Sequence, residues 1–196
     1  MSITFGILAV LLLISFTKID EEKIHNLIVQ PASVIIIDGK SNVNKFRCTS
    51  DQYNGNDTLV FKTANNKTVF VRGQVKLNAS GFDCGMKAIT KDFAETINVE
   101  KFPFITIEFI SFEEALQYKT TEERFSSKLK LTLASVSKTV EIRCGAQKDA
   151  QGLIHLKGAR NFTFSDFNLD PPKKMGGLIK VDEKLNVNFH LVLKRR

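Results

Sequence analysis

The stretch KLNVNFHLVLK, residues 184–194, alternates apolar and polar side chains with a period of two. Successive side chains of a β-strand point to opposite sides of the sheet, so this alternation predicts a strand with one buried face. The apolar positions that share that face are Leu185, Val187, Phe189, Leu191 and Leu193. We therefore expect this segment to be a half-buried strand.

The same alternation recurs along most of the chain. TVFVRGQVKL, residues 68–77, places Val69, Val71, Val75 and Leu77 on one side, with a bend at Gly73. Turn-forming stretches such as DQYNGND and DPPKKMGG separate the strand-like runs. Together they predict an antiparallel β protein, and closure into a barrel would remove exposed strand edges. The further alternating runs are FITIEFIS (104–111), SKLKLTLAS (127–135), KTVEIRC (138–144) and LIHLKGARNFTFSDF (153–167).

One stretch has helical spacing instead. In GMKAITKDFAETINVEKFP, residues 85–103, Met86, Ile89, Phe93 and Ile97 lie three, four and four positions apart. This spacing puts the four side chains on one face, and it predicts a helix from about Lys87 to Ile97 that packs on the sheet or over a barrel mouth. A second, weaker helix is predicted in SFEEALQYKTTEE, residues 111–123.

The first residues favour export from the cytoplasm. Residues 1–17 contain no Asp, Glu, Lys or Arg, and the apolar run is short for a membrane-spanning helix. We interpret residues 1–18 as a signal peptide or N-terminal anchor, 19–33 as a polar spacer, and 34–196 as the β domain. The net charge of +7 suits association with an anionic envelope surface or solubility alone. Most lysines alternate with apolar residues in the strand-like runs, which favours a solvated outer face over a nucleic-acid patch. Aromatic residues do not interleave with the basic ones, so we predict no nucleic-acid partner.

The sequence carries no motif that predicts catalysis. The three histidines, His25, His155 and His190, are dispersed along the chain, and the cysteines lack the Cys-x-x-Cys spacing of redox and zinc sites. We therefore expect no catalytic residue, no metal site and no cofactor.

Four blocks, in order, resemble the YceI-like proteins, which are exported lipid- or polyisoprenoid-binding proteins. The resemblance covers residues 35–193. In the third block, Ala134 and Ser135 stand where the family has histidine and glycine, and glycine often serves a positive φ in such a turn. The blocks are IIIDGKSNVNKFRC, GMKAITKDFAETINVEKFPFITIEF, LTLASVSKTVEI and FSDFNLDPPKKMGGLIKVDEKLNVNFHLVL.

The resemblance implies a mainly β fold: an eight-stranded antiparallel lipocalin-like barrel with one or two accessory α-helices. It also implies a bacterial periplasmic or secreted protein that holds an amphiphilic lipid, a polyisoprenoid or isoprenoid quinone, in an apolar lumen. The alternative is a scaffold with a filled core, acting as an envelope stress or protein-interaction factor. A homodimer is a further expectation. The candidate lumen residues, which would fill a solid core equally well, are Val71, Val75, Leu77, Ile105, Ile107, Leu131, Leu133, Val140, Ile142, Phe162, Phe164, Val187, Phe189 and Leu191.

Export makes a disulfide permissible, and three cysteines allow one bridge. With Cys48 on the first strand of the implied barrel and Cys84 just before the helix, we prefer a Cys48–Cys84 bridge that ties the two together. Cys144 would then be an inert buried thiol. A bridge to Cys144, or no bridge, remains open at this point.

Overall fold

A computed structural model describes residues 24–50, 53–64, 68–114 and 116–196. Within these ranges the chain forms thirteen β-strands and one α-helix, α1, Lys87–Thr96. The predicted signal peptide or anchor lies outside the described residues. In chain order the strands are β1 (Ile24–Val29), β2 (Val34–Lys40), β3 (Lys45–Ser50), β4 (Thr58–Ala64), β5 (Thr68–Arg72), β6 (Gln74–Asn78), β7 (Phe104–Phe112), β8 (Glu123–Leu133), β9 (Val136–Lys148), β10 (Ile154–Thr163), β11 (Lys173–Lys174), β12 (Ile179–Lys180) and β13 (Lys184–Arg195).

The main sheet closes on itself, because β1 pairs with β4 on one edge and with β13 on the other. Segments β1 and β2 both lie along β13, and β5 and β6 both lie along β7, so each pair is one interrupted strand. Segments β3 and β4 continue each other in the same way, beside β2 and β1. Counted so, the ring is β1/β2, β3/β4, β5/β6, β7, β8, β9, β10 and β13. The predicted closed, eight-stranded antiparallel barrel is confirmed.

The predicted bend at Gly73 is the break between β5 and β6. Its φ is +122°, and a β-carbon at this position would collide with the carbonyl oxygen of Thr58. Glycine is therefore required both for the backbone conformation and for the close approach of the neighbouring strand. On either side of it, Val71 and Val75 keep their predicted inward orientation and are buried.

In one half of the barrel the inward side chains pack against one another. Phe112 makes ring contacts with Phe61, Phe109 and Phe125, at centroid distances of 5.2, 5.9 and 4.8 Å. Phe61, Phe109 and Phe112 are at most 1% exposed. We call this end the filled half, and the end that α1 covers the hollow half.

Two sequence predictions are wrong. Residues 24–29, assigned to the polar spacer, form β1 and complete the ring, with Leu27 and Val29 fully buried. The weak helix predicted over 111–123 is not formed in the described residues there: β7 ends at Phe112, β8 begins at Glu123, and residues 116–119 are irregular. Its charged residues suit an exposed connection equally well.

The hairpin between β8 and β9 keeps a tight two-residue turn despite lacking glycine. Leu133 pairs with Val136, and the two residues between them, Ala134 and Ser135, have φ values of 47° and 67°. Positive φ at both central positions is the geometry that matches the twist of a two-residue hairpin. The departure from the family pattern therefore changes the residues of the turn and not its shape.

Candidate functional site

The barrel wall is split at the hollow half. Strand β3 pairs with β2 and β6 pairs with β7, but β3 and β6 are not paired with each other. The chain after β6 closes part of this gap: Thr49 and Asp83 exchange two backbone hydrogen bonds of 2.8 and 2.9 Å. Helix α1 follows immediately and covers the rest of the opening.

A cystine fixes this cover to the wall. Cys48 of β3 and Cys84, three residues before α1, form a disulfide, so the preferred pairing is confirmed. Cys144 is buried and free, and burial raises the pKa of its thiol to about 12. A thiol in this state is almost entirely protonated at neutral pH and is a poor nucleophile.

Between α1 and the barrel wall lies a cavity of about 270 Å³. Twenty-four of its thirty lining residues are apolar. The helix contributes the predicted stripe of Ile89 and Phe93, and Ile97, which follows its last turn. The apolar face of the helix therefore forms one wall of the cavity.

Eight of the fourteen candidate lumen residues line this cavity. Six candidates do not: four are buried in the core, Val140 is half-buried against that core, and Phe189 packs its ring against Gly158 and Phe109. The eight are Leu77, Ile105, Ile107, Leu131, Leu133, Phe162, Phe164 and Val187. The six are Val71, Val75, Val140, Ile142, Phe189 and Leu191.

Several cavity residues were missed by the strand-by-strand reading. Some come from the first hairpin, β2 and β3, for which alternation assigned no inward face, and others from the irregular segment between β10 and β13. The continuous apolar run VIII, residues 34–37, indicates a strand but not which of its faces points inward, whereas the family block that contains FSDFNLDPP carried a signal for the second segment. The principal additions are Ile35, Ile37, Phe46, Phe82, Leu169, Ile179 and Val181.

Polar side chains gather at the edge of the cavity. Lys174, in the β11–β12 hairpin, contacts Asp92 of α1 with 2.6 Å between Nζ and Oδ1. The hydrogen bond to Asp92 raises the pKa of Lys174. Ser41 and Asn44, in the β2–β3 turn, also line the cavity. A ligand whose chain lies among the apolar residues would place its head group here.

The segment after β10 is held in place by a second ion pair. Lys138 of β9 contacts Asp166 at 2.7 Å, and the Thr163 amide donates a 2.9 Å hydrogen bond to the same carboxylate. The Lys138 hydrogen bond, followed by the Thr163 amide, lowers the pKa of Asp166 to about 2. This anchors the short helical turn that carries Phe167 into the cavity wall.

Two histidines that are distant in sequence meet on the outside of the barrel. Nδ1 of His155 lies 2.8 Å from Nε2 of His190, and Nε2 of His155 lies 3.0 Å from Asp149. Pairing of β10 with β13 causes this contact, which sequence spacing could not show. Burial first, then the charge of Lys157, lowers the pKa of His190. The chain of three groups faces away from the cavity.

A second concavity, of about 740 Å³, lies near His190 on the outer surface. Charges of both signs line it, including Arg143, Lys157 and Glu122. It is larger than the cavity in the hollow half but far more polar. An apolar chain would gain little by leaving water for such a surface, so volume alone does not select the binding site.

In the described part of the chain, His, Cys, Asp and Glu side chains do not cluster in threes as a metal site requires. Among the same residues there is also no helix long and apolar enough to cross a membrane.

The family model for the YceI-like domain matches residues 32–193. The chain belongs to the YceI-like family. This match covers the whole barrel except β1 and the last residues of β13. The resemblance that four sequence blocks indicated is thereby confirmed.

Solved structures of other proteins have the same fold as this YceI-like chain. BcnA of Burkholderia cenocepacia is 19% identical, has a TM-score of 0.62, and aligns with 84% of this chain and 98% of its own. A polyisoprenoid binding domain from Saccharophagus degradans, implicated in plant cell wall breakdown, is 10% identical. Its TM-score is 0.63, with 87% of this chain and 98% of its own covered. No curated protein sequence matches this chain.

Proposed function

We propose that this YceI-like chain is an exported protein that binds an amphiphilic lipid, of the polyisoprenoid or isoprenoid-quinone class, without transforming it. The observation that carries the proposal is the cavity in the hollow half, with its mainly apolar lining. A disulfide is typical of proteins in oxidising compartments outside the cytoplasm. The Saccharophagus degradans domain, which has the same fold, is described as a polyisoprenoid binding domain, and this supports the same class of ligand here.

Burial of the chain would supply the affinity. Each methylene removed from water contributes about 0.8 kcal/mol, so ten of them contribute ~8 kcal/mol before the costs of ordering and association. The cavity of about 270 Å³ lies just below the range of about 300–1,000 Å³ usual for ligand pockets. It therefore suits one end of a chain, with the remainder and the head group at the mouth beside Lys174 and Asp92.

The test is extraction of the purified full chain into organic solvent, followed by mass spectrometry of the extract. A prenyl lipid recovered in a fixed ratio to protein supports the proposal. A barrel that carries no lipid, and that takes up none from added isoprenoid quinone, contradicts it. That result would favour the alternative of a scaffold working as an envelope stress or protein-interaction factor.

A further inference from the structure

Four of the seven large apolar side chains that are exposed in the described structure lie around the mouth of the cavity. Val43 and Met86 line it and are 63% and 58% exposed. Met175 and Leu178 are 70% and 73% exposed, and they lie at the tip of the β11–β12 hairpin between Lys174 and Ile179, which line the cavity. We call these four side chains the apolar rim. Clustered exposed apolar residues of this kind mark a surface that another apolar body covers.

Three separate segments carry the apolar rim, and they are fixed to one another. Asn42 of the β2–β3 turn donates a 2.9 Å hydrogen bond from Nδ2 to the Leu178 carbonyl oxygen. The Lys180 amide donates a 2.9 Å hydrogen bond back to Oδ1 of Asn42. The Lys174–Asp92 ion pair joins the same hairpin to α1. The rim side chains are therefore presented together, at one end of the barrel, on a braced support.

Lysines flank the apolar rim. The hairpin KKMGGLIK, residues 173–180, has three lysines and no acidic residue, while Lys45 and Lys87 follow Val43 and Met86 closely in sequence. In the described structure, Lys45, Lys87 and Lys173 have no carboxylate partner.

Two acidic side chains of this region are already paired. Asp92 contacts Lys174, and Asp182 contacts Lys40 at 3.2 Å. The rim thus combines projecting apolar tips with free positive charge. That combination complements the head-group layer of an anionic bilayer, where each lysine adds to the attraction and the apolar tips enter the acyl boundary.

We propose that the apolar rim docks the barrel, mouth first, onto an anionic lipid bilayer. Three separated segments, each with one or two projecting apolar side chains, suit insertion between lipid head groups better than they suit a flat protein partner. The inference rests on the proposed function for its purpose: in this orientation a lipid chain moves between bilayer and cavity without crossing water. The chemistry that recognises the surface is a layer of lipid phosphates above acyl chains.

The sequence contains no tryptophan, so one introduced residue is an unambiguous reporter. Leu178→Trp in the full chain should shift its emission to the blue when vesicles of phosphatidylcholine with about one third phosphatidylglycerol are added. Phe70→Trp is the matched control, because Phe70 is 53% exposed on β5, in the filled half. Both variants keep residues 1–23, so any contribution of that segment is common to the two.

Charge reversal tests the lysines. Lys45→Glu with Lys173→Glu should weaken partition into the anionic vesicles by at least about tenfold, with the effect lost at high salt. Lys128→Glu with Lys148→Glu changes the net charge equally in the filled half and should cost less. Circular dichroism checks that each variant is folded.

Three results would overturn the docking surface. They are equal shifts at both tryptophans, no shift at either, or a shift at position 178 that depends on protein concentration without vesicles and so reports self-association. Lipid extraction run in parallel separates the two proposals. Normal lipid content without a shift at position 178 rejects docking alone, whereas an empty barrel with a selective shift at position 178 rejects the lipid cargo and supports docking.

Discussion

In the filled half of the barrel four phenylalanine rings meet at centroid distances of 4.8–5.9 Å, whereas in the hollow half the walls stand apart around a cavity of about 270 Å³. Both halves are built by the same strands with the same alternation. They differ because the wall is complete around the phenylalanines but split between β3 and β6. A helix and a cystine replace the missing pairing, and they leave space behind them.

The largest difference in stability is expected when one buried side chain is truncated in each half. Phe109→Ala should lower the free energy of unfolding by about 3–5 kcal/mol, because it opens a void in a close-packed region. Leu131→Ala, in the cavity wall, should cost about 2 kcal/mol, because the side chain already faces open space. Urea unfolding measures both. Equal losses at the two positions would remove the distinction between the halves.

Loss of the cystine should cause the second-largest loss of stability, and its structural effect should be confined to the hollow half. Cys48→Ser with Cys84→Ser should cost about 3 kcal/mol, since the bridge closes a long loop of the unfolded chain. The double variant should also retain less lipid, because α1 is no longer fixed to β3. Cys144→Ala, which breaks no bridge, is the control and should cost only about 1 kcal/mol.

A charged side chain in the cavity wall should reduce lipid retention while the barrel still folds. Ile107→Asp is expected to abolish lipid retention, because an isolated carboxylate loses its hydration against an apolar chain. Thr106→Asp, one residue away on the opposite face of β7, should retain lipid normally. Mass spectrometry of extracts from both folded proteins makes the comparison. Full retention by folded Ile107→Asp would contradict the cavity as the binding site.

The ion pair at the mouth should have a smaller effect, on rate rather than on capacity. Lys174→Met should speed release of a bound fluorescent prenyl lipid by no more than about fivefold, since an exposed ion pair contributes little. Lys130→Met breaks the pair with Glu108 on the outer face and should leave the rate unchanged. Equal acceleration by the two variants would argue against a specific role of the mouth.

The smallest effect is expected from pH. The Asp166 carboxyl has a pKa of about 2 instead of its usual 3.8, so its contribution to stability is complete above the usual value and is lost as the pH falls towards 2. Asp166→Asn should remove this part of the acid dependence. Thermal unfolding of both proteins across that range checks it, and identical acid profiles would show that the pair with Lys138 stabilises nothing.

Much of the barrel could be predicted from sequence, because alternation reports burial directly. The strands around Val71, Ile107 and Phe189 and the helix from Lys87 were found in this way. Strand β1 was missed because its inward residues, Leu27 and Val29, are only two and follow a polar segment. Its pairing with β13 is a long-range contact that local alternation does not encode.

The cavity was harder to predict than the wall. Alternation shows that Ile107 and Val71 both point inward, but it cannot show that the space in front of one is empty and in front of the other is filled. That difference depends on where the wall splits and on which side chains meet across it. The contact between His155 and His190 escaped for the same reason, because strand pairing and not sequence distance creates it.

The most direct measurement is a crystal structure of the chain purified with its lipid. We expect continuous density for an apolar chain in the hollow half, between Phe93 of α1 and Ile107 and Leu131 of the wall, with its polar end beside Lys174. An extracted lipid without density there, or density in the outer groove near His190, would contradict the assignment of the cavity.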